Sequence, residues 1–549
     1  MDRRVDRHPP LTTSRLGNFA VVALPLAFLG YFFVYPLLTV LLTGFTANGQ
    51  LDFGPLQTVF GRSALVSVAW FTLWQAAAST LLTLLIGLPA ANVMARYDFP
   101  GKRFVRAAIV IPFVLPTVVV GSAFLAVLGP SGPLGIDLRQ TVWAILIAHV
   151  FFNYAIVVRT VGTYWERIDP RLLEAAQMLG GKRWTIFRTV TYPLLRPAIA
   201  SAASLIFLFT FTSFGIILIL GGLGHATIEV EIWRQATGLV NFEVAAALAF
   251  LQIVGISTVL VLYSRYQERR SVSFTQRSAS AAIRPVTRIQ KLHVAGNLAV
   301  MALLLGGPLI VLVDRSFRTP SGYRLDAYSN LGEPTGGLAV APTTAMWNSA
   351  RFAIAATLLA VAVGLAAATV IAYRRGWLAR GFDALLMLPL GTSAVTLGFG
   401  FLIALDQPID LRTSIWLIPV AHALVAIPFV VRTTVPVLRS VKHHLREAAA
   451  TLGASPQQIW REVDLPMVAR ATLIGAGFAF AVSLGEFGAT SFLALPTNPT
   501  LPTAIFRLLG RPGTSSFASA MALSTILMVS TAISISLIER LRISTVGDF

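Results

Sequence analysis

"EAAQMLGGKRWTIFRTVTYP" runs from Glu174 to Pro193, and "EAAATLGASPQQIWREVDLP" runs from Glu447 to Pro466. Aligned without gaps, the two stretches share nine of twenty positions: Glu174/Glu447, Ala175/Ala448, Ala176/Ala449, Leu179/Leu452, Gly180/Gly453, Ile186/Ile459, Arg188/Arg461, Val190/Val463 and Pro193/Pro466. Every pair is offset by 273 residues, about half of the 549-residue chain, so the first inference is a duplicated unit. The same shift lays "AHVFFNYAIVVRT" (Ala148–Thr160) on "AHALVAIPFVVRT" (Ala421–Thr433), and Phe214-Gly215 on Phe487-Gly488. Nearer the N-terminus the offset becomes 277, where Gly87 meets Gly364 and Pro112 meets Pro389.

The surroundings of the repeat fix the class of protein. Hydrophobic residues make up 55% of the chain and charged residues 12%, too apolar for an ordinary soluble domain. Phe19 to Phe45 and Ala64 to Met94 carry no charge. Each run exceeds the roughly 20 residues a helix needs to cross a bilayer. The chain therefore reads as an all-α polytopic membrane protein. Its net charge of +19 is explained by Lys and Arg collecting in cytoplasmic loops, which removes the argument for nucleic acid. Without cysteine there are no disulfides, thiolate metal sites or cysteine nucleophiles.

Twelve spans are predicted, near 19–43, 66–92, 105–128, 141–162, 197–220 and 244–264, then 294–313, 348–372, 382–405, 414–436, 470–494 and 517–537. The N-terminal stretch "MDRRVDRHPPLTTSRLG" is basic, and the apolar run after it is too long for a cleaved signal peptide, so it reads as a first anchor. Placing the N-terminus inside puts Arg15, Arg96, Lys102, Arg103 and Arg106 in the cytoplasm, together with Arg374, Arg375, Arg380, Arg540 and Arg542. The outer loops carry no Lys. The basic, Ser-rich linker 265–291 separates a first six-helix unit, 1–264, from a second, 292–549. Because six spans precede the second copy, the two repeats run parallel. The expected location is a bacterial inner (plasma) membrane, crossed many times, with both termini cytoplasmic.

Both repeated stretches follow the fourth span of their unit and so face the cytoplasm. Asp169 suits an N-cap, Pro170 the first helical position and Gly180 a left-handed stop. Leu172, Ala175, Ala176 and Leu179 recur at helical spacing, as do Leu445, Ala448, Ala449 and Leu452 before Gly453. One such helix alone would read as an interfacial helix packed on its own loops. Two copies at identical spacing, both followed by Ile, Arg, Val and Pro, shift the balance toward a small-residue face that another surface approaches closely.

Glu, Ala-Ala, a Gly and a later Pro, written twice in the right topological place, resemble the "EAA" signature of ABC importer permeases. The resemblance covers essentially the whole chain and implies a type I permease fold of two parallel six-helix repeats. It further implies ATPase-coupling residues Glu174, Ala175, Ala176, Gly180, Glu447, Ala448, Ala449 and Gly453. The implied partners are two copies of an ABC ATPase subunit carrying ATP and Mg, an extracytoplasmic substrate-binding protein and membrane lipid. "AHVFFN" (Ala148–Asn153), "LGGLGHATIEVEIW" (Leu220–Trp233) and "SLGEFGATSFL" (Ser483–Leu493) resemble the fused permeases of thiamine importers, with ferric-iron importers next. The chain itself is not expected to be an enzyme. Gly101-Lys102 and Gly181-Lys182 are each followed by Arg, without the upstream Gly of a phosphate-cradling loop.

Polar residues inside spans default to functional suspicion. Glu486, placed about midway along the eleventh span, reads either as a pore-lining carboxylate for a cation or as a buried group paired with Arg or capped by Ser and Thr. Its counterpart in the first copy is Ser213. His149 and His422 are paired by the repeat, and either share a metal or hydrogen-bond across helices. Trp74, Asn153, Phe214 and Phe487 complete the candidate translocation pathway, and no cofactor is assigned to the chain. Trp74 and Gln75 read either as a stack and a hydrogen bond for an aromatic ligand or, for Trp74, as apolar packing. The competing function is a secondary transporter driven by an ion gradient, in which Glu486 would bind a proton or sodium. That reading leaves the twin helices without a purpose.

Overall fold

The computed structural model describes residues 15–543, apart from 271–283 and the short stretches 48–49, 131, 223, 320–321, 335–336, 374–375, 408 and 441–442. Much of the predicted linker 265–291, along with Arg374 and Arg375, lies outside the described residues.

Among the described residues, ten helices are long and apolar enough to cross a bilayer: Val21–Thr43, Ser63–Arg96, Val142–Glu166, Arg183–Phe211, Phe242–Tyr266, Arg288–Phe317, Pro342–Tyr373, Leu417–Ser440, Gln457–Gly485 and Thr514–Ile538. The predicted third and ninth spans are bent pairs instead. Lys102–Val114 turns into Thr117–Leu128 through 101°, and Arg380–Pro389 into Ala394–Ala404 through 91°. Leu115 precedes Pro116 and is extended, as a residue before proline prefers, and that ends the helix.

The fifth and eleventh spans also differ from expectation. They begin earlier, at Arg183 and Gln457, and stop at Phe211 and Gly485. The apolar remainder forms separate short helices, Gly215–Leu220 and Thr490–Leu493. Glu486 therefore lies just past the end of its helix, in extended backbone, and not midway along a span.

Proline explains a second irregularity. Four of the five π-helical segments among the described residues, Gly30–Val34, Phe187–Thr191, Ala302–Gly306 and Trp460–Asp464, each end two residues before a proline: Pro36, Pro193, Pro308 and Pro466; the fifth, Arg234–Gly238, has no proline after it. Proline has no N–H to donate and its ring crowds the carbonyl four residues back. The preceding turn widens to bonds five residues apart, as from Tyr192 N to Phe187 O.

The duplication persists in the packing. A Cβ on Gly87 would stand 2.8 Å from Val157, and one on Gly364 would stand 3.0 Å from Val430, the same position in the two copies. The second span thus approaches the fourth at a distance that only glycine permits, and the eighth approaches the tenth nearly as closely.

The compact units do not follow the sequence halves. One comprises 1–46, 329–508 and 526–549; the other comprises 47–328 and 509–525. The first span falls in the unit built mainly from the second copy. Its Leu29 and Phe33 are buried in a core with Phe352, Phe401, Leu417 and Ile418. The seventh span falls in the other unit, against Ser63–Arg96 and Thr117–Leu128. The two copies have exchanged their leading helices.

Candidate functional site

The repeated stretch folds into a helix in both copies, Pro170–Met178 and His443–Thr451. Asp169 caps the first helix, its carboxylate accepting from Arg171 N at 3.0 Å. Both helices close identically. Gly180 N donates to Gln177 O and Gly181 N to Ala176 O; Gly453 N donates to Ala450 O and Ala454 N to Ala449 O. This double bond is the Schellman stop, and it requires the left-handed φ of +79° at Gly180 and +86° at Gly453. No residue of the first helix is buried. Leu179 and Leu452 are each 89% exposed, and Leu172 and Leu445 about half exposed. Among the described residues, both helices present leucines that are half to largely exposed, an apolar surface open to a partner.

Inside the spans, buried polar groups collect at the helix breaks. In one unit His149 Nδ1 lies 3.0 Å from Ser79 Oγ and its Nε2 2.9 Å from Ser213 Oγ. In the other, His422 Nδ1 lies 2.7 Å from Ser483 Oγ, and Nε2 lies 2.8 Å from Thr490 Oγ1 and 3.2 Å from Glu486 Oε2. Each imidazole uses both nitrogens within its own unit, so the structure supports helix-to-helix bonding over a shared metal. Glu486 is capped rather than open. Its Oε1 accepts from Ala489 N at 2.8 Å, while Oε2 accepts from Thr490 N and Thr490 Oγ1 at 3.0 and 2.6 Å. The carboxylate thus satisfies the first donors of the Thr490–Leu493 helix, where negative charge is favoured. The side chain that pairs with it from the tenth span is His422, not the arginine considered from sequence.

Phe214 and Phe487 are buried beside these breaks. Their rings face Trp233 at 6.3 Å and Phe506 at 5.4 Å, partners that are themselves related by the 273-residue shift. Trp74 is half-buried, edge-on to Phe71 at 5.6 Å. Gln75 Nε2 donates to Thr210 O at 2.8 Å, and Asn153 Nδ2 to His149 O at 3.0 Å. Gln75 Oε1 and Asn153 Oδ1 are buried without a hydrogen-bond partner.

Sequence reading missed one further repeated element. Ile228 N donates to Thr72 Oγ1 at 3.0 Å, and Leu501 N to Ser349 Oγ at 2.7 Å, again equivalent positions. These bonds seat short helices, Ile228–Trp233 and Leu501–Leu509, against the second and eighth spans. Matching Thr227 with Thr500 and Arg234 with Arg507 would have revealed them.

Comparison with known proteins adds the following. Residues 83–272 and 360–543 match the family described as binding-protein-dependent transport system inner membrane component. A probable ABC transporter permease protein of Sinorhizobium fredii (strain NBRC 101917 / NGR234) is 28% identical over 509 residues, covering 86% of this chain and 87% of its own. The thiamine transport system permease protein ThiP of Brucella abortus (strain 2308) is 29% identical over 458 residues, covering 81% and 82%. That of Escherichia coli (strain K12) is 28% identical over 470 residues, covering 82% and 85%. Among solved structures, a bacterial ABC transporter involved in alginate import aligns with a TM-score of 0.41 at 16% identity, covering 46% of this chain and 96% of that one.

Proposed function

The chain belongs to the binding-protein-dependent transport system inner membrane components, the permeases of ABC importers, and from that premise we propose that it passes a small organic cation of the thiamine type inward, with ferric iron as the second candidate. The observation that carries the coupling mechanism is the pair of exposed helices, Pro170–Met178 and His443–Thr451, closed by the same left-handed glycine. Each docks one copy of a separate ATPase subunit, which holds ATP and Mg. Glu174, Ala175, Ala176 and Gly180 form one dock; Glu447, Ala448, Ala449 and Gly453 form the other. Hydrolysis in the partner moves these helices, and the spans respond by opening alternately to either side. A substrate-binding protein on the outer face delivers the cargo. The chain lies in the bacterial inner membrane with both termini in the cytoplasm.

Support for the substrate comes from the thiamine permeases among the relatives. Within the spans we assign contact with the cargo to Trp74, Gln75 and Asn153. A half-buried indole suits a cationic ring, and two buried, unpaired amide oxygens suit its N–H donors. Phe214 and Phe487 border the path. Glu486 and Ser213 fix the helix breaks, since Glu486 has both oxygens engaged. Iron would want several hard oxygen ligands, which this arrangement does not offer.

Purification of the chain with its neighbours, followed by mass spectrometry, tests the mechanism: an ATPase should co-purify. Cells lacking and regaining the protein, given labelled thiamine and labelled ferric iron side by side, test the cargo. Rescue of iron uptake alone would reverse the order of candidates.

A further inference from the structure

The two docking helices are attached to the spans in different ways. Arg446 immediately precedes Glu447 on the second helix, and its side chain is only 13% exposed. Its Nε donates to Asp464 Oδ1 at 2.8 Å and its Nη2 to Tyr373 OH at 2.9 Å. Tyr373 OH in turn donates to Asp464 Oδ2 at 2.6 Å, closing a ring of three bonds. The guanidinium also lies over the Tyr373 ring, 4.8 Å from its centroid. Tyr373 is the last residue of the eighth span, and Asp464, 5% exposed, sits in the π-helical turn at the base of the eleventh. One network therefore joins a docking helix to two membrane helices.

The duplication supplies the control. The equivalents of Arg446, Asp464 and Tyr373 in the first copy are Leu173, Thr191 and Arg96. That set has no carboxylate, and Arg96 instead stands over Trp165 at 6.0 Å. Leu173 can hold its helix only through apolar contact, which is non-directional. Charge-assisted bonds to a planar guanidinium fix both distance and orientation.

We infer that Arg446, Asp464 and Tyr373 form a strut through which the second docking helix moves rigidly with its spans, while the first helix is compliant. The two ATPase contacts of this permease are then mechanically unequal, and the second carries the larger share of the transmitted motion. This rests on the docking assignment above, so its test begins where that assignment is not needed.

Hydrogen exchange on the purified full chain in lipid nanodiscs should show amides of the His443–Thr451 helix about tenfold better protected than those of Pro170–Met178, from the added charge-assisted bonds. Asp464→Asn should abolish the difference. Tyr373→Phe, which keeps the ring and removes one hydroxyl, should reduce it, and the swap Arg446→Asp with Asp464→Arg should restore it in part. Equal protection of both helices in the wild-type chain would overturn the strut. With the ATPase bound, spin labels at Leu358→Cys and Ala450→Cys should keep a fixed distance on trapping with ATP and vanadate. The equivalent labels at Leu81→Cys and Gln177→Cys should change theirs. A change of equal size in both pairs would overturn the inequality. Failure of any ATPase to bind the wild-type chain would overturn the docking reading instead, and leave the exchange result standing.

Discussion

His422 Nε2 stands 3.2 Å from Glu486 Oε2, and the 273-residue shift carries that contact onto His149 Nε2 and Ser213 Oγ at 2.9 Å. The imidazole bridges from the fourth span of each copy to the helix break of the next span. One copy completes the bridge with a hydroxyl, the other with a carboxylate. A buried carboxylate remains tolerable only while its partners are present.

Glu486→Ala should accordingly destabilise the protein by roughly 3 kcal/mol, because the His422 ring and the N–H groups of Ala489 and Thr490 lose their acceptor. Ser213→Ala should cost about 1 kcal/mol. Thermal unfolding of both variants in the same detergent measures the order. Equal shifts would show that the charge adds nothing to the bridge.

Gly180→Val and Gly453→Val should each weaken binding of the ATPase while leaving insertion and the span packing unchanged. Neither Cβ would clash, since nothing lies within 4 Å. The penalty, on the order of 1–2 kcal/mol, comes from forcing a β-branched residue into the left-handed region. Co-purification of the ATPase against membrane yield separates docking from folding. Retention of full binding by both variants would remove the docking assignment.

Gly87→Ala and Gly364→Ala test the close approach of paired spans. The new methyl would stand 2.8 Å from Val157 or 3.0 Å from Val430, and overpacking of this kind costs about 1–3 kcal/mol. Gly296→Ala, with open space around it, is the control and should be neutral or slightly stabilising. Melting temperatures that rank all three alike would contradict the packing.

Reporters fused within 265–291 and at the C-terminus should both read cytoplasmic, and one within 315–345 should read external. The distribution of Lys and Arg motivates this orientation. An external signal from the linker would put both docking helices out of an ATPase's reach.

Much of this architecture was legible in the residues. The duplication, the Asp169 cap and the Gly180 and Gly453 stops follow from local chemistry, and the structure carries each of them. The positions of the apolar helices were readable because hydropathy records where apolar residues are. It does not record direction, so the bends near Leu115 and between Pro389 and Ala394 were invisible, as were the breaks after Phe211 and Gly485. Four of the five π-helical turns among the described residues were in principle readable, since each of the four stands at a fixed distance before a proline. Another repeat escaped notice: Asp137 and Arg139 form a pair, as do Asp410 and Arg412 273 residues later, both between spans. In the second, hydrogen bonds from Arg412 hold the Asp410 carboxyl well below its ordinary range, at about 2. Partners such as Glu486 with His422, or Arg446 with Tyr373, lie tens of residues apart, where periodicity carries no information.

The exchange of leading helices has a consequence for how such a gene can be divided. A break within 265–291 would yield two polypeptides, neither encoding a complete compact unit, because Leu29 and Phe33 would be synthesised apart from the Phe352 and Phe401 they bury against. Each fragment would expose an unfilled seam until the other arrived. Translation as one polypeptide guarantees equal numbers of the two parts, and their simultaneous presence in the same patch of bilayer.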